Sequence, residues 1–107
     1  MQEPGLDRHE WESEWQALEE ELSDDPAGTL SELDDLVGRM LESRGYALGD
    51  DVAAEGDDPE VVTEFRAARE ITRRVDAGAS VDPGDVASAV HGYRALYEHV
   101  LAERTAP

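Results

Sequence analysis

Apolar residues recur along this chain at intervals of three and four, the spacing that lays one stripe along an α-helix, and nowhere do they alternate as a half-buried strand requires. Four segments carry the pattern, each parted from the next by Gly, Pro or Asp clusters that cap or break helices. The first runs from about residue 7 to residue 22 on the stripe Trp11, Trp15, Leu18 and Leu22, with Asp7 and Glu10 as its capping box. The second covers about residues 30–44, opened by Thr29 with Glu32 and stopped by Gly45. Its apolar set, Leu30, Leu33, Leu36, Val37, Met40 and Leu41, occupies a broader arc than the first helix's stripe and predicts the central core element.

The third helix opens with Asp58 as N-cap and Pro59 at the first helical position, and runs to about Ala77 before Gly78. Val61, Phe65, Ala68, Thr72 and Val75 share one face, with Ile71 beside them. The fourth repeats this opening with Asp82, Pro83 and Asp85, and continues to about Arg104 on the stripe Val86, Val90, Tyr93, Tyr97, Val100 and Leu101. Connections of about six residues on either side of the middle one favour antiparallel neighbours. Residues 46–57 make a longer, acidic connection, in which Tyr46, Leu48 and Val52 would cover the end of the core. The expected fold is all-α, a small antiparallel four-helix bundle with a longer acidic loop between helices two and three, and residues 1–107 read as a single helical domain.

Charge singles out the first helix. Arg44, Arg73, Arg74 and Arg104 lie near C-terminal helix ends, where cations suit the helix dipole. The first helix reverses this, with Arg8 and His9 at its start, Glu19, Glu20 and Glu21 in its last turn, and Glu10 four residues from Glu14. Such a segment does not hold as an isolated helix, so burial of its apolar stripe must carry it. Residues 1–25 are therefore expected to form a loosely attached N-terminal helix. Trp11, Trp15, Leu18 and Leu22 become the candidate interaction residues, docking either on the other three helices or on another chain.

Composition narrows the function classes. A chain of 107 residues supports one modest core. The absence of cysteine excludes disulfides, thiolate catalysis and cysteine-ligated metal centres. Against 27 Asp and Glu stand 9 cations, all of them Arg, for a formal charge of −18. That charge repels DNA, RNA and anionic lipid, which are bound by neutralising phosphate with Lys and Arg. Met1 to Gly5 lack the basic and apolar regions of a secretory signal, and no apolar run approaches the roughly 18 residues of a membrane span. A cytoplasmic protein with no direct nucleic-acid or membrane binding is expected. Its acidity serves either solvation, as in a salt-adapted cytoplasm, or a negative surface aimed at a basic partner.

Candidate chemistry is sparse. His9, His91 and His99 lack the Glu-x-x-His pairing of bundle metal sites, and helical angles put His91 and His99 on the solvent side. A calcium loop at Asp51 fails because Ala53 and Val62 stand where ligands are needed. No metal or cofactor is predicted. Glu32-x-x-Asp35 and Glu55-x-x-Asp58 echo the paired acidic motifs that hold magnesium and phosphate in all-α pyrophosphohydrolases of the MazG type, although the first motif ends in Asp and points away from the apolar face. With 27 carboxylates such matches arise by chance. Arg66, Arg69 and Arg73 form a stripe on the third helix able to contact an anion, with intramolecular pairing, including Glu70 with Arg74 and the acidic middle loop, as its structural use. The leading expectation is a non-enzymatic accessory or regulatory protein acting through protein contact or self-association, in its strongest form a nucleic-acid mimic for a basic partner. The competing one is a small magnesium-dependent nucleotide-processing enzyme or anionic-ligand binder using the arginine stripe.

Overall fold

The structure, a computed structural model, describes residues 4–43 and 59–105, with side chains at 9–43 and 60–102. Four helices make up nearly all of it: α1 (Pro4–Asp24), α2 (Pro26–Ser43), α3 (Pro59–Asp76) and α4 (Pro83–Thr105). No strand occurs among the described residues, and the expected all-α bundle is what forms. The expected features at Arg44, Gly45, Tyr46, Leu48, Val52 and Asp58 lie outside the described residues, as does the motif Glu55-x-x-Asp58.

All four helices begin on proline. A fixed φ near the helical value suits the first helical position, where no N–H is needed. The rule was legible at Pro59 and Pro83, but it also governs Pro4 and Pro26, so α1 starts before Asp7 and α2 starts four residues before Leu30. The connection between α1 and α2 is consequently the single residue Asp25 rather than about six. Asp25 serves both helices. Its amide donates to the Glu21 carbonyl at 2.8 Å, its carbonyl accepts from the Thr29 amide at 3.1 Å, and its Oδ1 accepts from the Gly28 amide at 3.1 Å. Gly28 leaves room for that cap, because a Cβ there would collide with the Asp25 carboxylate. Thr29, expected as the N-cap, lies inside α2, buried, with its hydroxyl donating to the Asp25 carbonyl at 2.7 Å.

The α3 C-terminus closes as read. Gly78 takes φ 80°, its amide donates to the Val75 carbonyl, and the Ala79 amide donates to the Arg74 carbonyl, both at 3.0 Å. This is the Schellman arrangement, which a left-handed glycine makes possible. Asp82 then receives the first amides of α4, from Asp85 at 3.0 Å and Val86 at 3.1 Å, through its carbonyl.

α2 packs against each of the other three helices, and α3 packs against α4. Leu30, Leu33, Leu36, Val37, Met40 and Leu41 are all completely buried, which confirms α2 as the core element. At roughly 1.5–3 kcal/mol for each such side chain, this helix supplies a large share of the hydrophobic stabilisation. Pairings across the interfaces run in opposite residue order, Glu14 to Arg39 and Glu21 to Glu32 for α1 with α2, and Asp34 to Arg69 and Gly38 to Phe65 for α2 with α3. Those neighbours are antiparallel. α4 buries a wider arc than its stripe, adding Ala89 and Leu96 to Val86, Tyr93, Tyr97 and Val100. For the same reason His99, expected on the solvent side, is half-buried, whereas His91 is exposed.

Candidate functional site

The polar centre of the molecule joins three helices. Asp34 on α2 holds Arg69 of α3 in a forked contact, with Arg69 Nη2 donating to Oδ1 at 3.0 Å and Nε donating to Oδ2 at 3.1 Å. Tyr93 of α4 donates its hydroxyl to the same Oδ2 at 2.8 Å, and the Thr72 hydroxyl lies 2.7 Å from the Tyr93 oxygen. The Thr72 hydroxyl also lies 3.0 Å from the Ala68 carbonyl, so its single proton is shared between that carbonyl and the Tyr93 oxygen. Arg69 also stacks its guanidinium 4.6 Å from the centre of the Phe65 ring, and Phe65 meets Tyr93 edge to face at 6.1 Å. Burial pushes the Tyr93 phenol far above its ordinary value; the Thr72 hydrogen bond opposes this, and the adjacent Asp34 carboxylate adds to it. Tyr93 is therefore a permanent donor in the folded state.

This network floors a groove of about 580 Å³ between α2 and α3. α2 lends it Asp34, Asp35, Gly38, Arg39 and Glu42, and α3 lends it Arg69, Thr72, Arg73 and Asp76. Arg39 is occupied by Glu14 at 2.6 Å and Asp35 at 3.1 Å, and Arg69 by Asp34. Arg73 makes no ion pair among the described residues, although Asp76 follows it one turn later on the same groove wall. Gly38 sits in the middle of α2, where glycine costs about 0.5–1 kcal/mol relative to alanine. A Cβ there would make ordinary contacts only, 3.5 Å from Phe65 Cζ and 3.9 Å from Arg69 Nη2. Neither the backbone nor the packing requires glycine at this position.

The opposite flank of α2 faces α1 and is acidic. Glu21 and Glu32 approach across the hairpin, and the carboxyl-to-carboxyl hydrogen bond raises the Glu21 pKa above its ordinary value, with desolvation and charge repulsion acting in the same direction. Glu14 and Asp35 line the same hollow of about 380 Å³. Arg39 is the one arginine among the described side chains of α1 and α2.

The four candidate interaction residues of α1 are turned toward the body of the protein. Trp15 and Leu18 are buried, and Trp11 and Leu22 are partly buried against the core. Trp15 stacks on Tyr97 of α4 with ring centroids 4.4 Å apart and donates its indole N–H to Glu19 at 3.0 Å. Glu19 also accepts from Arg94 of α4 at 2.9 Å. Its charge opposes the α1 dipole, and Arg94 offsets it. Of the arginine stripe, Arg69 and Arg73 meet in the groove, while Arg66 is half-buried outside its lining. The intrahelical pair of Glu70 with Arg74 is present at 3.4 Å. Glu32 and Asp35 share the acidic hollow, although no group of three or more His, Asp or Glu among the described residues is placed to hold a metal ion. No described helix is long and apolar enough to cross a membrane.

Asp34 was not legible as a site residue. It stands between Leu33 and Asp35 with no motif around it, and its partners are 35 and 59 residues away in sequence. The one available signal was Thr72 and Tyr93 on otherwise apolar faces, since buried hydroxyls need partners. Comparison with known proteins found no family model, no curated protein and no solved structure that matches this chain.

Proposed function

We propose that this chain is a non-enzymatic accessory protein of the cytoplasm that works by protein contact, presenting the acidic face of the α1–α2 hairpin to a basic partner. The observation that carries the reading is the hollow that Glu14, Glu21, Glu32 and Asp35 line together, four carboxylates gathered between α1 and α2. Glu21 and Glu32 make no ion pair among the described residues, and an arginine or lysine from a partner would relieve their repulsion. Glu14 and Asp35 extend the same surface, and their neighbour Arg39 neutralises only part of it. In the stronger form, carboxylates along the hairpin stand in for the phosphates of a nucleic acid in the groove of a DNA- or RNA-binding protein.

The test is an affinity capture with the full chain at low and high salt, read by mass spectrometry. A basic partner retained at low salt and lost at high salt is expected, because exposed charges are screened beyond about 8 Å at physiological ionic strength. Charge-neutral variants Glu21→Gln and Glu32→Gln should weaken that capture. Recovery of no basic protein at low ionic strength ends the proposal.

A further inference from the structure

The α2–α3 groove holds charges of both signs that the fold leaves unused. Arg73 and Asp76 stand three residues apart on α3, close enough to interact along one helix face, yet they do not pair with each other. Arg69 commits Nε and Nη2 to Asp34, and its Nη1 takes no hydrogen bond among the described residues. Gly38 lines the groove next to this guanidinium, and a Cβ there would lie within ordinary contact range of Phe65 and Arg69. The volume of about 580 Å³ lies within the range of small-molecule sites.

Both signs on the wall decide the ligand chemistry. A simple anion entering the groove meets Asp34, Asp35, Glu42 and Asp76, and a simple cation meets Arg39, Arg69 and Arg73. All of these lie within about one screening length of the groove, so salt does not remove the conflict. A molecule with a carboxylate and an ammonium side by side satisfies both signs. We propose that this groove is a binding site for an α-amino acid zwitterion, its carboxylate held by Arg73 and the free edge of Arg69, and its ammonium by Asp76. The floor is organised in advance, because Asp34, Tyr93 and Phe65 already fix the Arg69 fork. This site is separate from the acidic hairpin face and does not depend on the partner reading above.

The experiment is an amide and arginine side-chain NMR titration of the full chain with L-glutamine, which is a neutral zwitterion. Sodium acetate and methylammonium chloride at matched ionic strength serve as single-charge controls. Saturable shifts confined to Gly38, Arg69, Thr72, Arg73 and Asp76 are expected, with a Kd on the order of 1 mM. Arg73→Ala, at an exposed position, should abolish them. The inference is overturned if L-glutamine gives no saturable shift in the groove or if either control shifts the same residues equally. It is also overturned if Arg73→Ala, still folded by circular dichroism, binds as the unaltered chain does.

Discussion

Trp15 of α1 lies face to face with Tyr97 of α4, ring centroids 4.4 Å apart and planes 11° from parallel. This contact ties the helix with the least favourable internal electrostatics to the far side of the bundle. Ion pairs at Glu14 and Glu19 assist, but at their exposure each contributes only about 0.2–1 kcal/mol. Apolar burial therefore decides whether α1 stays docked. Trp15→Ala should cost about 3–5 kcal/mol in urea unfolding, and Trp11→Ala, at a half-buried position, about half of that. Trp15→Phe should recover part of the loss by keeping an aromatic face on Tyr97. Equal losses at the two tryptophans would contradict the arrangement.

The Asp34 network predicts strong coupling between distant residues. Tyr93→Phe removes the hydroxyl's two hydrogen bonds, to Asp34 and with Thr72, and should cost about 1–3 kcal/mol. Asp34→Ala strips Arg69 of its partner at a site where the two side chains are only 28% and 14% exposed, and should cost about 3 kcal/mol. The two changes share one oxygen, so a double-mutant cycle should give a coupling of about 1 kcal/mol. Strict additivity in that cycle would show that Tyr93 and Asp34 act separately.

The Glu21–Glu32 pair predicts a pH dependence opposite in sign to that of a salt-bridged carboxylate. The folded pKa of Glu21 is raised above its ordinary 4.5. Its stabilising contribution is therefore full below 4.5 and is lost as pH rises through the higher folded value. Glu32→Gln removes the repulsion and should raise the Tm at pH 7, with the gap from the unaltered chain closing as pH falls toward 4.5. A gap that is absent at pH 7, or that does not change with pH, would mean the carboxyls do not interact.

What the amino-acid order determined was local and periodic. Proline, glycine and aspartate act on the dihedrals and hydrogen bonds of their immediate neighbours, so Pro59, Gly78, Asp82 and Pro83 marked their helix ends before any packing was known. The same grammar at Pro4 and Pro26 was masked by the rival capping patterns at Asp7 and Thr29. The stripe of α2 predicted its burial, because a 3.6-residue period reports which side chains share a face. Tertiary structure decided everything that depends on the meeting of two faces. It selected Asp34 over its neighbour Asp35 as the partner of Arg69 and Tyr93, since one residue along a helix turns a side chain by about 100°. It also turned Trp15 onto Tyr97 of α4 and brought Glu21 against Glu32. Those relations rest on helix packing across long sequence separations, on which local spacing carries no information.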